Sequence, residues 1–138
     1  MESRFIDVAA GLIFHNGKVL ITQRRADAHL GGLWEFPGGK READETFEQC
    51  LVRELREELG VEVGVGANFE SVTHAYPEKT VHLEFYICEL MAGKPKPIGC
   101  AALKWASQSQ LKDHAFPAAD ARLLEKLHEN ETLWKEHH

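Results

Sequence analysis

The stretch that most constrains this chain is Thr46 to Gly60, where several independent signals place one helix. Thr46 stands as an N-cap with Gln49 three residues on, apolar residues recur at 47, 51, 55 and 59, and Gly60 ends the run. Residues three and four apart share a helix face, so Glu54, Glu57 and Glu58 form one acidic stripe. At about 100° per residue that stripe lies beside the apolar arc of Leu51, Leu55 and Leu59, which sets the carboxylates at the rim of a core. A helix used only for packing gains nothing from this, since the 54/58 and 54/57 like-charge pairs each cost roughly 0.2–0.5 kcal/mol. Either the stripe is a solvated face with Arg53 paired to Glu57, or a cation belongs in the gap.

What precedes the helix favours the cation. Glu45 lies just upstream and Gly38-Gly39 before it, a bare backbone that can fold tightly against the stripe. Carboxylate and carbonyl oxygens with water are the donors Mg²⁺ prefers, and substrate phosphates usually complete its shell. Such a site stabilises charge on phosphate oxygens and activates water, so hydrolysis needs no covalent nucleophile. The formal charge of −6 fits this reading and argues against polymeric DNA or RNA as a partner, because a nucleic-acid backbone calls for clustered Lys and Arg.

With 138 residues, the chain suffices for one globular domain spanning 1–138. Ile6 to Phe14 and Lys18 to Gln23 flank His15-Asn16-Gly17 and predict a hairpin. The glycine-rich run from Arg24 to Lys40 reads as a shaped loop. Val61 to Val65, Asn68 to Tyr76, Thr80 to Leu90 and Ala102 to Trp105 read as strands, with Pro77-Glu78-Lys79 and Gly93 to Pro97 as loops. Ala118 to Leu127 reads as a last helix with Leu123, Leu124 and Leu127 turned inward. This order predicts an α/β fold, a mixed sheet with helices on its faces. Cys50, Cys88 and Cys100 lack the close spacing of a zinc site and read as reduced thiols. With no export signal or membrane-spanning run, a cytoplasmic protein without a membrane partner is expected. Glu136-His137-His138 receives no role.

The segments Gly39-Lys40-Arg41-Glu42-Ala43-Asp44-Glu45 and Arg53-Glu54-Leu55-Arg56-Glu57-Glu58-Leu59-Gly60-Val61 together resemble the Nudix box. Its pattern is Gly, five residues, Glu, seven residues, Arg-Glu, an aliphatic residue, any residue, Glu-Glu, any residue, Gly, aliphatic, and every fixed position matches. The resemblance implies the Nudix α/β/α sandwich, a mixed β-sheet between helices. It also implies Mg²⁺ as cofactor, with Mn²⁺ able to use the same oxygen ligands. Glu54, Glu57, Glu58 and the Gly38 carbonyl become the expected metal ligands, with Arg53 orienting the glutamates and Glu45 supporting the loop.

Three further segments, Ile21 to His29, Trp34 to Lys40 and Phe116 to Asp120, are similar to the MutT-type branch, which hydrolyses modified nucleoside triphosphates to a monophosphate and pyrophosphate. By that resemblance Arg24 and His29 lie near the nucleotide, Phe36 near the base, Lys40 near phosphate and Asp120 on the base edge. Glu35, Pro37 and Gly38 join them in the substrate site. The plainer roles stay open: Arg24 as a strand surface residue, His29 as a loop histidine, Phe36 as core and Asp120 as the N-cap of the last helix.

Two departures bear on chemistry. Relatives commonly carry a water-activating glutamate six residues before the Trp matching Trp105, where this chain has Gly99. Proton removal then falls to a box glutamate, to metal-bound hydroxide or to a residue from elsewhere in the chain, with Glu57 as the candidate. At the base edge the best-known oxidised-guanine enzyme has Asn, whereas Asp120 when ionised only accepts hydrogen bonds. The resemblance makes 8-oxo-dGTP the expected substrate, which needs Asp120 protonated by burial to face O6. CTP or 5-methyl-dCTP, whose exocyclic amine suits an ionised Asp120, is the alternative, and a non-catalytic nucleotide or ADP-ribose binding module is a rival. Nucleotide-pool sanitation by a monomer or homodimer is the role this implies.

Overall fold

Residues 4–135 are described by a computed structural model, so Glu136-His137-His138 lie outside the described residues. The first hairpin joins β1 (Arg4–His15) to β2 (Lys18–Gln23) through Asn16 and Gly17, both at positive φ, as the Asn-Gly turn predicts. After it come β3 (Trp34–Glu35), β4 (Gly38–Lys40), α1 (Phe47–Leu59), β5 (Glu62–Ala75), β6 (Lys79–Ala92), β7 (Ala102–Ala106), α2 (Gln108–Leu111) and α3 (Ala121–Glu129).

The strands make one mixed sheet in the order β3-β2-β1-β6-β5, with β4 paired to β1 and β7 to β2. β1 runs parallel to β6, from Arg4 opposite Lys79 to Ile13 opposite Cys88, while the other pairs are antiparallel. Alternation along β1 divides its side chains between two cores. Ala9 and Ile13 pack with Leu51, Leu55 and Leu59 of α1, whereas Ala10 and Leu12 pack with Phe85 and with Leu123 and Leu127 of α3. The expected α/β/α sandwich is thus formed by α1 on one face and α3 on the other.

α1 ends as its sequence predicts. The Thr46 hydroxyl accepts a hydrogen bond from the Gln49 amide, the Gln49 side-chain oxygen accepts one from the Thr46 amide, and Gly60 closes the helix in the left-handed region at φ 70°.

The sequence reading needs three corrections. The segment 24–40 is not loop throughout, because Trp34–Glu35 pairs with β2 and Gly38–Lys40 pairs with β1. The two strands read at 61–65 and 68–76 are one strand, β5, whose register shifts around Asn68 leave it paired to β6 on both sides. Finally, residues 118–120 form a separate 3₁₀ turn ahead of α3. Asp120 makes no capping hydrogen bond, so the N-cap role does not hold. Among the described residues no helix is long and apolar enough to cross a membrane, and Cys50, Cys88 and Cys100 are all free thiols.

Candidate active site

A cavity of about 530 Å³ opens between α1, the strands β1 and β6, the 24–40 segment and the turn before α3. Of the residues expected from the sequence, Arg24, His29, Glu35, Phe36, Pro37, Gly38, Lys40, Glu54, Glu58 and Asp120 all line it. Glu45, Arg53 and Glu57 are not among its lining residues.

Arg53 organises the acidic stripe. Its guanidinium donates to both carboxylate oxygens of Glu45, at 3.1 and 2.7 Å, to Glu54 at 3.0 Å and to Glu57 at 3.2 Å, and also to the Lys40 carbonyl. Those hydrogen bonds, with one from the Glu42 amide, lower Glu45 to about 2 and keep it ionised. The bond to Lys40 ties the helix to β4, so Arg53 and Glu45 fix the glycine strand against α1. Among the described residues no cation reaches Glu58 within ion-pair distance. Burial raises the pKa of Glu54 and Glu58, and neighbouring carboxylates raise both further: Glu58 and Glu57 around Glu54, Glu35 and Glu57 around Glu58.

Glycines make room for these two carboxylates. A Cβ on Gly39 would fall 2.2 Å from the Glu54 carboxyl carbon, and one on Gly99 only 1.7 Å from Glu58 Oε2. The space beside position 99 is therefore already filled by Glu58. The amides of Ile98 and Gly99 both donate to the Glu58 carbonyl, which holds this loop on the helix end.

A half-neutralised carboxylate pair in a glycine-lined recess suits a divalent cation. Among the described residues no three acidic or imidazole groups converge into a complete cage. The expected set of Glu54, Glu57 and Glu58 is thus not gathered around one point. Glu57 has its side chain 57% exposed and turned to Arg53, so the cavity wall itself presents Glu54 and Glu58.

The rest of the site differs from expectation in emphasis. Arg24 donates to the His29 carbonyl at 2.6 Å and to Glu35 at 3.0 Å, and so braces the 24–35 loop from within the cavity wall. Burial raises Glu35 although Arg24 opposes the shift. Phe36 is both core and wall: it is 4% exposed, stacks on Phe116 at 5.3 Å and meets Phe85 edge-on at 6.2 Å. Asp120 is 5% exposed, and burial with the nearby Glu35 charge raises it to about 7. Thr22, Tyr76 and Cys100 also line the cavity. No sequence signal marks them, because a strand threonine, a turn tyrosine and a lone cysteine carry no motif.

Residues 9–126 match the family profile described as the NUDIX domain. This chain belongs to the Nudix hydrolase family. A CTP pyrophosphohydrolase of Escherichia coli K12 is 39% identical over 88% of this chain and 90% of its own length. An 8-oxo-dGTP diphosphatase of the same organism is 37% identical over 88% and 95%. Among solved structures, the E. coli ORF135 protein superposes with a TM-score of 0.78 at 38% identity, covering 91% of this chain and 89% of that one. This Nudix hydrolase is therefore an enzyme, and its family works with a divalent metal ion.

Proposed function

We propose that this Nudix hydrolase cleaves a modified nucleoside triphosphate between its α and β phosphates, giving a nucleoside monophosphate and pyrophosphate, with 8-oxo-dGTP as its first substrate. The observation that carries the reading is the Glu54–Glu58 pair without full neutralisation, opening into the same cavity as an apolar floor and the buried Asp120. A carboxylate recess calls for metal-bound phosphate, and an apolar floor with one polar group calls for a base.

Mg²⁺, when bound, screens the phosphate charge and makes water a better nucleophile. Glu54, Glu58 and the Gly38 carbonyl, all on the cavity wall, are assigned to hold it, while Glu57 is turned to Arg53. Arg53 fixes the direction of Glu54 and Glu57, and Glu45 in turn fixes Arg53. Lys40, at the exposed end of β4 on the cavity wall, is placed to attract the triphosphate. The proton lost by the attacking water goes to Glu57, whose Oε2 is held by Arg53 and whose Oε1 has no partner among the described residues.

Asp120 is assigned to the base edge. A carboxyl with a pKa near 7 is partly protonated at neutral pH and can both donate and accept, which suits the O6 and N7–H of oxidised guanine. Its ionised form suits the exocyclic amine of cytosine. The likeness to a CTP pyrophosphohydrolase keeps that second reading in view.

The test is pyrophosphate release from 8-oxo-dGTP, dGTP, CTP, 5-methyl-dCTP and ADP-ribose with Mg²⁺, beside Glu54→Gln and Glu57→Gln. Preference for 8-oxo-dGTP with both variants impaired supports the proposal. Preference for a cytosine nucleotide moves the substrate to the second reading, and turnover of none of the triphosphates overturns both.

A further inference from the structure

The cavity offers one face for a flat ligand and holds a ring at its mouth. Strand alternation turns Val81, Leu83 and Phe85 of β6 onto the cavity, beside Val8 of β1 and Phe36. Asp120 is buried in the same space, and its carboxyl has no hydrogen-bond partner among the described residues. An apolar floor and an edge group define two sides of a base site. The third side, the cover, is absent from the sequence reading.

Tyr76 lies at the turn between β5 and β6, where its amide donates to the Lys79 carbonyl at 2.7 Å and its carbonyl accepts the return bond from the Lys79 amide at 3.3 Å. Its ring lines the cavity, with His74 behind it at 4.6 Å and the Lys79 ammonium 6.0 Å from its centroid. From the facing loop His29 meets Tyr76 at 5.5 Å with the ring planes at 83°. That loop is itself held, because Arg24 grips the His29 carbonyl and Glu35, while Leu30 takes a left-handed φ of 57° next to His29. Two segments about 50 residues apart are thus bridged across the cavity mouth by an aromatic pair.

We propose that Tyr76 covers the nucleobase by stacking, and that His29 is a positioning residue that holds the Tyr76 ring over the floor rather than touching the nucleotide itself. The inference rests on the nucleotide reading above. An aromatic face is a general means of binding a base, since every base presents a π-face, and such a stack is worth roughly 5- to 150-fold in affinity. The hydroxyl adds nothing the stack needs, so phenylalanine replaces tyrosine here.

The experiment measures dissociation constants of 8-oxo-dGMP and CMP by titration calorimetry for the full chain and for Tyr76→Phe, Tyr76→Ser, His29→Ala and the Tyr76→Ser/His29→Ala double variant. KM and kcat for 8-oxo-dGTP and CTP are measured alongside. Tyr76→Ser is expected to weaken binding of the preferred base about 10-fold and raise KM similarly, with kcat within about 3-fold of the parent. Tyr76→Phe should match the parent. His29→Ala should weaken binding on its own yet add nothing to Tyr76→Ser, because its effect passes through the ring. Unchanged binding in Tyr76→Ser overturns the proposal alone, as does full additivity of the two losses for the role of His29. A parent chain that binds neither monophosphate, with or without Mg²⁺, overturns it together with the nucleotide reading.

Discussion

Replacing Asp120 by Asn should change how stability depends on pH, and the size of the effect follows from its burial. In the folded protein Asp120 keeps its proton up to about pH 7, whereas its ordinary value is 3.8. Between those limits the folded state binds a proton that the unfolded chain has released, so the group's contribution is full at low pH and is lost as pH rises toward 7. Each pH unit in that window is worth about 1.4 kcal/mol, which sets a ceiling of roughly 4 kcal/mol for the whole interval. Asn has no proton to lose. The stability of Asp120→Asn relative to the parent should therefore improve by roughly 2.5 kcal/mol between pH 5 and pH 8, the part of the window above pH 5. Urea unfolding followed by tryptophan fluorescence at pH 5, 6, 7 and 8 reads this difference. Glu35, Glu54 and Glu58 are also raised and titrate in both proteins, so the comparison reads position 120 together with its coupling to Glu35. A gap that stays constant within about 0.5 kcal/mol across this range would refute the argument that burial dominates at this carboxyl.

Other changes separate site from scaffold. Gly99→Ala should lower kcat/KM by about 10–100-fold while leaving the unfolding midpoint nearly unchanged, because the atom displaced is the end of the Glu58 side chain. Gly38→Ala should instead impair folding: its Cβ would lie 1.9 Å from the Ala9 carbonyl oxygen, and a loss above about 2 kcal/mol is expected by urea unfolding. Glu45→Gln loosens Arg53 from β4, and steady-state kinetics should show kcat reduced by about 10–100-fold with the fold retained by circular dichroism. Excess EDTA should abolish pyrophosphate release, and adding Mg²⁺ should both restore it and raise the melting temperature in a concentration-dependent way.

Much of this was legible because the signals were local. Capping, apolar period and terminator all lie within α1 and agree with one another, and the Asn16-Gly17 turn needs only its own two residues. The box glutamates followed from helix geometry, and the family resemblance supplied most of the residues around the cavity. What stayed hidden was set by distant partners. Gly38–Lys40 has no strand propensity, and its extended form comes from pairing with Val8, Ala9 and Ala10. The plainer cap role for Asp120 stayed open because the sequence cannot show that residues 118–120 form a separate 3₁₀ turn and that the carboxyl is buried. Position 99 read as a missing carboxylate, whereas in three dimensions its space belongs to Glu58. Tyr76 carried no signal, since a turn residue's facing loop is unknown until the sheet is built.

The parallel pairing of β1 with β6 has a consequence for how the enzyme comes into being. Each partnered residue lies 75 positions from its mate, as with Ile6 and Val81 or Ile13 and Cys88. Contacts that distant are slow to close, because chain entropy must be lost before they form. α1 can take shape from local information early in synthesis, yet the floor beneath the base exists only once β6 has been made and threaded beside β1. A nascent chain that ends before β6 carries the complete acidic motif without a pocket, so catalytic competence arrives late, as a property of the closed sheet rather than of the motif.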